Sequence, residues 1–145
     1  MAGELLSSEK MCEGVVECTA LGLAESCSEL EGRLTLFGIL DELRSGEAGE
    51  GFSFVVYAKF EGCEHAAEGE RRARILVSDE DGEVLEESAE YSVWLAGEEG
   101  PATIVAAFDL EVPQGAEERL LWVEAELDEE TLAQTAIPLR EKYNV

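Results

Sequence analysis

The sequence predicts an all-β fold, an antiparallel β-sandwich with about seven to nine strands and little helix. Three observations carry that expectation. Apolar residues recur mainly with period two, which is the period of a half-buried strand. The runs are short and separated by turns rich in Gly and Glu. The amphipathic helices that a doubly wound fold would need between its strands are missing. A chain of 145 residues, 46% of them hydrophobic, can bury roughly 70% of its unfolded surface, so one core can hold without a disulfide framework or a structural metal.

In chain order, residues 1–13 are polar and weakly patterned and read as a flexible or short helical lead, with residues 14–145 as the single domain. Strands are expected at 15–21 and 34–39, followed by a helical-looking piece at 39–44 and a Glu/Gly-rich loop at 45–51. The clearest strand is 52–60, where Phe52, Phe54, Val56, Ala58 and Phe60 share one face. After a second Glu/Gly-rich loop, 62–70, the strand 72–78 turns Ala73, Ile75 and Val77 to one side. Asp81-Gly82 then has the residues of a tight hairpin, because Gly takes positive φ readily. The return strand is expected to run over 84–95 with a bulge near 86–88, since Val84 is out of phase with Tyr91, Val93 and Leu95. Residues 97–101 break the pattern, and 104–112 alternates again until Pro113. Strand 119–127 sets Leu121, Val123, Ala125 and Leu127 on one side. The last strand, 132–139, contains Pro138, which marks an edge position or a strand end.

Charge narrows the function. The 34 acids against 10 bases leave a net charge of −24, a field that repels nucleic acid and anionic lipid, so neither nucleic acid nor a membrane is expected as a partner. The four cysteines, Cys12, Cys18, Cys27 and Cys63, form no C-x-x-C pair. No apolar run is long enough to span a bilayer and residues 1–10 lack the pattern of a secretory signal. A cytoplasmic protein with reduced thiols is the expectation.

A set of short motifs then appears in a recognisable order: Ala24-Glu25-Ser26, a G-x-L-x-L-x-G-I strand at Gly32 to Ile39, and Leu40-Asp41-Glu42-Leu43. The long apolar strand follows, then a D-x-D-G-E-V-L hairpin ending at Leu85, then Leu121-Trp122-Val123-Glu124, and a terminal Pro138-Leu139-Arg140. In this the chain resembles a family of small bacterial immunoglobulin-like β-sandwich domains of unknown function, over roughly residues 15–140. It departs from them in its acidic lead and its cysteines. The resemblance implies an immunoglobulin-like sandwich and no catalytic residues.

Several groups merit weighing as sites. Cys63 and His65, the one histidine, could pair as a thiolate and an imidazole or join a zinc site with two of Cys12, Cys18, Cys27 and Glu64; a solvent-exposed loop histidine is the plainer reading. No serine sits in a G-x-S-x-G context. Asp79, Asp81 and Glu83 place hard oxygens at one turn, where calcium could bind with help from Asp41, Glu42 or 128–130, unless the turn is an ordinary Asp-Gly hairpin. Arg71, Arg72 and Arg74 could hold a phosphate or carboxylate, or pair across strands with Glu86, Glu87 or Glu90.

Apolar bulk on faces opposite the inward sets is the most informative anomaly: Val55, Tyr57, Leu76, Trp94, Leu120 and Trp122. If their strands are neighbours they form an interface patch; otherwise another segment covers them. The expected function is a non-enzymatic protein-interaction or self-association module, binding a protein partner or a second copy through Tyr57, Leu76, Trp94, Leu120 and Trp122, with no cofactor. A divalent-cation or small-ligand binding sandwich using the acidic loops is the alternative, and a hydrolase a weaker one.

Overall fold

Period-two alternation becomes two packed sheets in the computed structural model, which describes residues 16–45, 51–62, 69–95, 101–111 and 119–141. Its strands are β1 (Val16–Leu30), β2 (Arg33–Ile39), β3 (Leu43–Ser45), β4 (Phe52–Gly62), β5 (Gly69–Ser78), β6 (Val84–Glu87), β7 (Tyr91–Leu95), β8 (Ala102–Leu110), β9 (Arg119–Leu127) and β10 (Glu130–Glu141). One sheet has the order β2-β1-β4-β8; the other has the order β3-β10-β9-β5-β6, with β7 also on β5. Because β6 and β7 lie end to end along β5, they act as one edge, and the sandwich is the predicted all-β one. The strand order is immunoglobulin-like: β4 and β8 stand where strands B and E do, β5, β9 and β10 where C, F and G do.

The core lies between the sheets. All five inward residues predicted for β4, Phe52, Phe54, Val56, Ala58 and Phe60, are buried, as are Ala73, Ile75 and Val77 of β5 and Leu121, Val123, Ala125 and Leu127 of β9. Phe54 stacks on Phe108 of β8 with ring centroids 5.6 Å apart, and burying such side chains contributes about 1.5–3 kcal/mol each. Where antibody domains join B to F by a disulfide, β4 and β9 contain no cysteine and bury Val56 and Val123 instead.

Three expectations need correction. Residues 39–44 are not helical: β2 ends at Ile39, the chain bends at Asp41 and Glu42, and β3 pairs in parallel with β10. Leu43 is buried in the core, so the apolar spacing read as helix is a crossover between sheets. Every other pairing among the described strands is antiparallel, as expected. The strand expected over 84–95 is two strands, because Ser88 leaves the ladder: its backbone N–H donates to the Ile75 carbonyl at 2.9 Å and its Oγ accepts from the Ile75 N–H at 2.9 Å. Finally, β1 continues nine residues past Leu21 to Leu30. It leaves β4 after Ala24, which pairs with Val55, and goes on with β2 alone as a two-stranded ribbon closed by Glu31 and Gly32, both at positive φ. The lead at 1–13 lies outside the described residues.

Pro138 fits its predicted role. β3 covers β10 only from Leu139 onward, so the proline, which has no N–H to donate, sits where that side of β10 is still an edge.

Candidate functional site

The outer face of the six-stranded sheet is laced by charge. Arg74 of β5 donates to Glu126 of β9, from Nε at 3.2 Å and from Nη2 at 2.7 Å, and to Glu87 of β6 at 3.2 Å. Glu126 is one of two buried polar residues in the described chain, and its carboxylate holds the Arg74 guanidinium protonated to still higher pH than usual. Arg72 lies 3.7 Å from Glu90. Arg71 meets Asp128 at 3.1 Å, and the other Asp128 oxygen accepts from the Arg72 N–H at 3.1 Å. The cross-strand alternative thus holds for Glu87 and Glu90, while Glu126 and Asp128, which sequence reasoning did not pair with these arginines, are the stronger partners. Arg72, Arg74, Glu90, Glu126, Asp128 and Glu129 line a shallow cleft of about 320 Å³ in which carboxylates outnumber the guanidinium groups.

The proposed apolar patch divides between sheets. Tyr57 is on the four-stranded sheet, whereas Leu76, Trp94, Leu120 and Trp122 are on the six-stranded one. Leu76 is only 8% exposed yet lies outside the core cluster, so it is covered on its own sheet's outer face. Trp122 pairs with Ser78 and Trp94 with Glu70, eight positions apart along β5, or about 26 Å at 3.3 Å per residue. Leu120 and Trp122 are half-buried, and Trp94 stands alone at 60% exposure.

The outer face of the four-stranded sheet is of a different kind. By register, Ala20, Gly22 and Ala24 of β1 lie beside Lys59, Tyr57 and Val55 of β4, which lie beside Thr103, Val105 and Ala107 of β8. Among the described residues, acids appear only at its borders: Glu17 and Glu61 at one end, the latter 2.9 Å from Lys59, and Asp109 at the far edge, bonded to Ser53. The surface continues onto the ribbon, whose same face carries Ala24, Ser26, Ser28 and Leu30 opposite Ile39, Phe37, Thr35 and Arg33. That strip holds no acid and one arginine, while Glu25 and Glu29 fall on the reverse face. Leu30, Phe37 and Ile39 are 74%, 50% and 63% exposed. Sequence reasoning missed these three. The signal was present: in a chain with 34 acids, every second position from Ala24 to Leu30 and from Arg33 to Ile39 avoids them.

Asp79 works inside its own turn. Its Oδ1 accepts the N–H groups of Asp81 and Glu83, each at 2.9 Å, and its carbonyl accepts from Gly82, at φ 85°, at 3.1 Å. Asp128 to Glu130 lie toward the other end of β5, about 20 Å away at 3.3 Å per residue, so those loops do not converge on one ion. Among the described residues no group of three His, Cys, Asp or Glu side chains is arranged to hold a metal. The turn instead rims a cleft of about 520 Å³ at the end of the sandwich, floored by Leu110, Leu121 and Leu139.

Cys63, His65, Cys12 and Glu64 lie outside the described residues. Cys18 and Cys27 are free and about 30 Å apart along β1, so both cannot ligate one ion. The Cys18 thiol donates to the Ala20 carbonyl at 3.2 Å, and burial pushes its pKa up against the lowering effect of backbone hydrogen bonding at Ala20 and Lys59.

No protein-family model matches the sequence, and no curated protein is significantly similar to it. Solved structures do resemble it. A glycosyl hydrolase family 2 member from Bacteroides cellulosilyticus aligns at TM-score 0.50 and 11% identity, over 85% of this chain and 15% of that one. A β-glucuronidase of glycoside hydrolase family 2 aligns at TM-score 0.50 and 11% identity, over 87% and 12%. An immunoglobulin-like protein from Pseudomonas aeruginosa aligns at TM-score 0.46 and 15% identity, over 88% and 98%. The chain thus spans under a fifth of the two enzymes, and the likeness to them is one of fold alone.

Proposed function

We propose that this protein is a non-enzymatic interaction module that binds a protein through the outer face of its four-stranded sheet and the adjoining ribbon. The observation that supports it most is the near absence of acids from that surface in a chain of net charge −24. An acidic shell keeps most of the molecule solvated and apart from others. A sheet face bearing Tyr57, Val55 and Val105 with Lys59 as its one cation, and with Phe37 and Ile39 exposed beside it, has the depletion of acids expected of an interface core in this chain. The test is affinity capture with the full chain: partners retained by the wild type should be lost from Val55→Glu and kept by Gln134→Glu, which adds the same charge to the outer face of the other sheet. Capture indifferent to Val55→Glu would sink the reading.

A second reading, small-ligand binding at the acidic loops, draws support from the end cleft. Asp81, Glu83 and Glu111 line it with Arg119 as its one cation, and these three carboxylates make no side-chain hydrogen bond or ion pair with the described residues. An organic cation with an apolar body would satisfy both that rim and the leucine floor. Spermidine and calcium, each titrated in a thermal melt, separate the organic cation from a metal; no shift with either removes this reading.

A further inference from the structure

We infer that the occupant of the four-stranded sheet's outer face is a second copy of this chain, each ribbon lying across the sheet of the other. The inference rests on the interaction reading above and names its partner.

Charge limits where two identical chains can meet. Two molecules of charge −24 repel unless their acids stay out of the contact, and this surface keeps them at its margins. Shape supplies the second reason. A two-fold interface requires one surface to complement itself. Here the same face has a projecting part with large side chains, Leu30, Phe37 and Ile39, next to a flat part of small ones, Gly22 and Ala107, around Val55 and Tyr57. A two-fold axis near Ala24 and Ile39 sets the projection of each copy on the flat bed of the other. Area supplies the third. From Ala20 to Ala24 the surface is three strands wide over about 13 Å and from Ala24 to Leu30 two strands wide over about 20 Å, a footprint of roughly 400 Å² in projection that side-chain relief brings to the low end of specific interfaces. A ribbon of two strands is also marginal alone in water, and a partner's sheet would give its apolar face the cover that β4 does not.

The test is sedimentation of the full chain across a range of concentrations. A dimer is expected, weakened about 100-fold or more by Phe37→Lys and by Val55→Glu, since each change enters a two-fold contact twice. Gln134→Glu should leave it intact. Mixing the two variants should restore a heterodimer, because one contact then joins Lys to Glu and the other is wild type; restoration also shows that both variants fold. A dimer that survives both substitutions, or variants that fail to complement, overturns the arrangement. A wild type that stays monomeric to roughly 500 µM overturns the second copy as occupant. If that monomer still captures a protein in a Val55-dependent way, the interaction reading stands with a different partner. If it captures none, both fall. A chain begun at Gly14 that dimerises when the full chain does not overturns the proposal in favour of residues 1–13 as the cover.

Discussion

The two outer faces of the sandwich start from the same sheet geometry and solve exposure to water in opposite ways. On the six-stranded sheet, Arg74 of β5 stands between Glu87 of β6 and Glu126 of β9, and the Arg74–Glu126 pair is secluded enough for Glu126 to be buried. On the four-stranded sheet, β1 and β8 present Gly, Ala and Val around Tyr57, and the charges stay at the margins. The contrast teaches that acidity is not spread evenly here. One face spends its charge on internal pairing, and such a face has little left for a partner. The other withholds charge and gains nothing for the isolated fold, so its composition calls for an explanation outside the monomer.

Experiments that perturb each face separately sharpen this contrast. The largest effect belongs to neither face but to the core beneath both. Phe60→Ala should cost about 3–5 kcal/mol, by lost burial plus the cavity left behind, in urea unfolding; a loss under about 1 kcal/mol would mean that the sheets do not share one core. Next comes the charged face. Arg74→Met leaves the buried Glu126 carboxylate without its donor and should cost about 1–2 kcal/mol, whereas Ala107→Ser on the acid-poor face should stay within about 0.5 kcal/mol. Equal losses from the two would erase the distinction.

The β9–β10 turn offers a finer test at the border of the charged face. Asp128 and Glu129 both hold left-handed backbone, φ 48° and 68°, a conformation that costs a residue with a Cβ about 1–2 kcal/mol. Only Asp128 is compensated, through Arg71 and the Arg72 N–H. Glu129→Gly should therefore raise the melting temperature by about 2–4 °C, and Asp128→Gly should not. The smallest effect concerns Cys18, against the inner side of β1. Burial makes the folded chain bind the thiol proton more tightly than the unfolded chain does. The stability this contributes is complete below the unfolded thiol's pKa and is lost as pH rises through the higher folded value. Between about pH 8 and about pH 10 the wild type should lose more stability than Cys18→Val, and parallel curves would show that the thiol is hydrated.

How much was legible in the sequence depended on what each strand faces. β4 and β9 each have one buried side, so water and core imposed an alternation that could be read residue by residue, and β9 lies where it was expected, 119–127. The β1–β2 ribbon has no core beneath it, so nothing forced a hydrophobic rhythm on Glu25 to Leu30, and neither its length nor its exposed Leu30, Phe37 and Ile39 could be foreseen from hydrophobic periodicity. Its rhythm was one of charge, acids on one side only. The apolar outer residues were correctly found off the core faces, but pairing assigned Tyr57 to one sheet and Trp94 and Trp122 to distant rows of the other.

By itself, then, the sequence determined the all-β class, most of the inward residues and the acidic shell, because local alternation and composition are properties of neighbouring positions. Which strands share a sheet, that 39–44 crosses between sheets, and that Arg74 meets Glu126 were decided by the tertiary structure. Those contacts join residues dozens of positions apart. Their energies depend on register, and register is settled only when both sheets close on a common core.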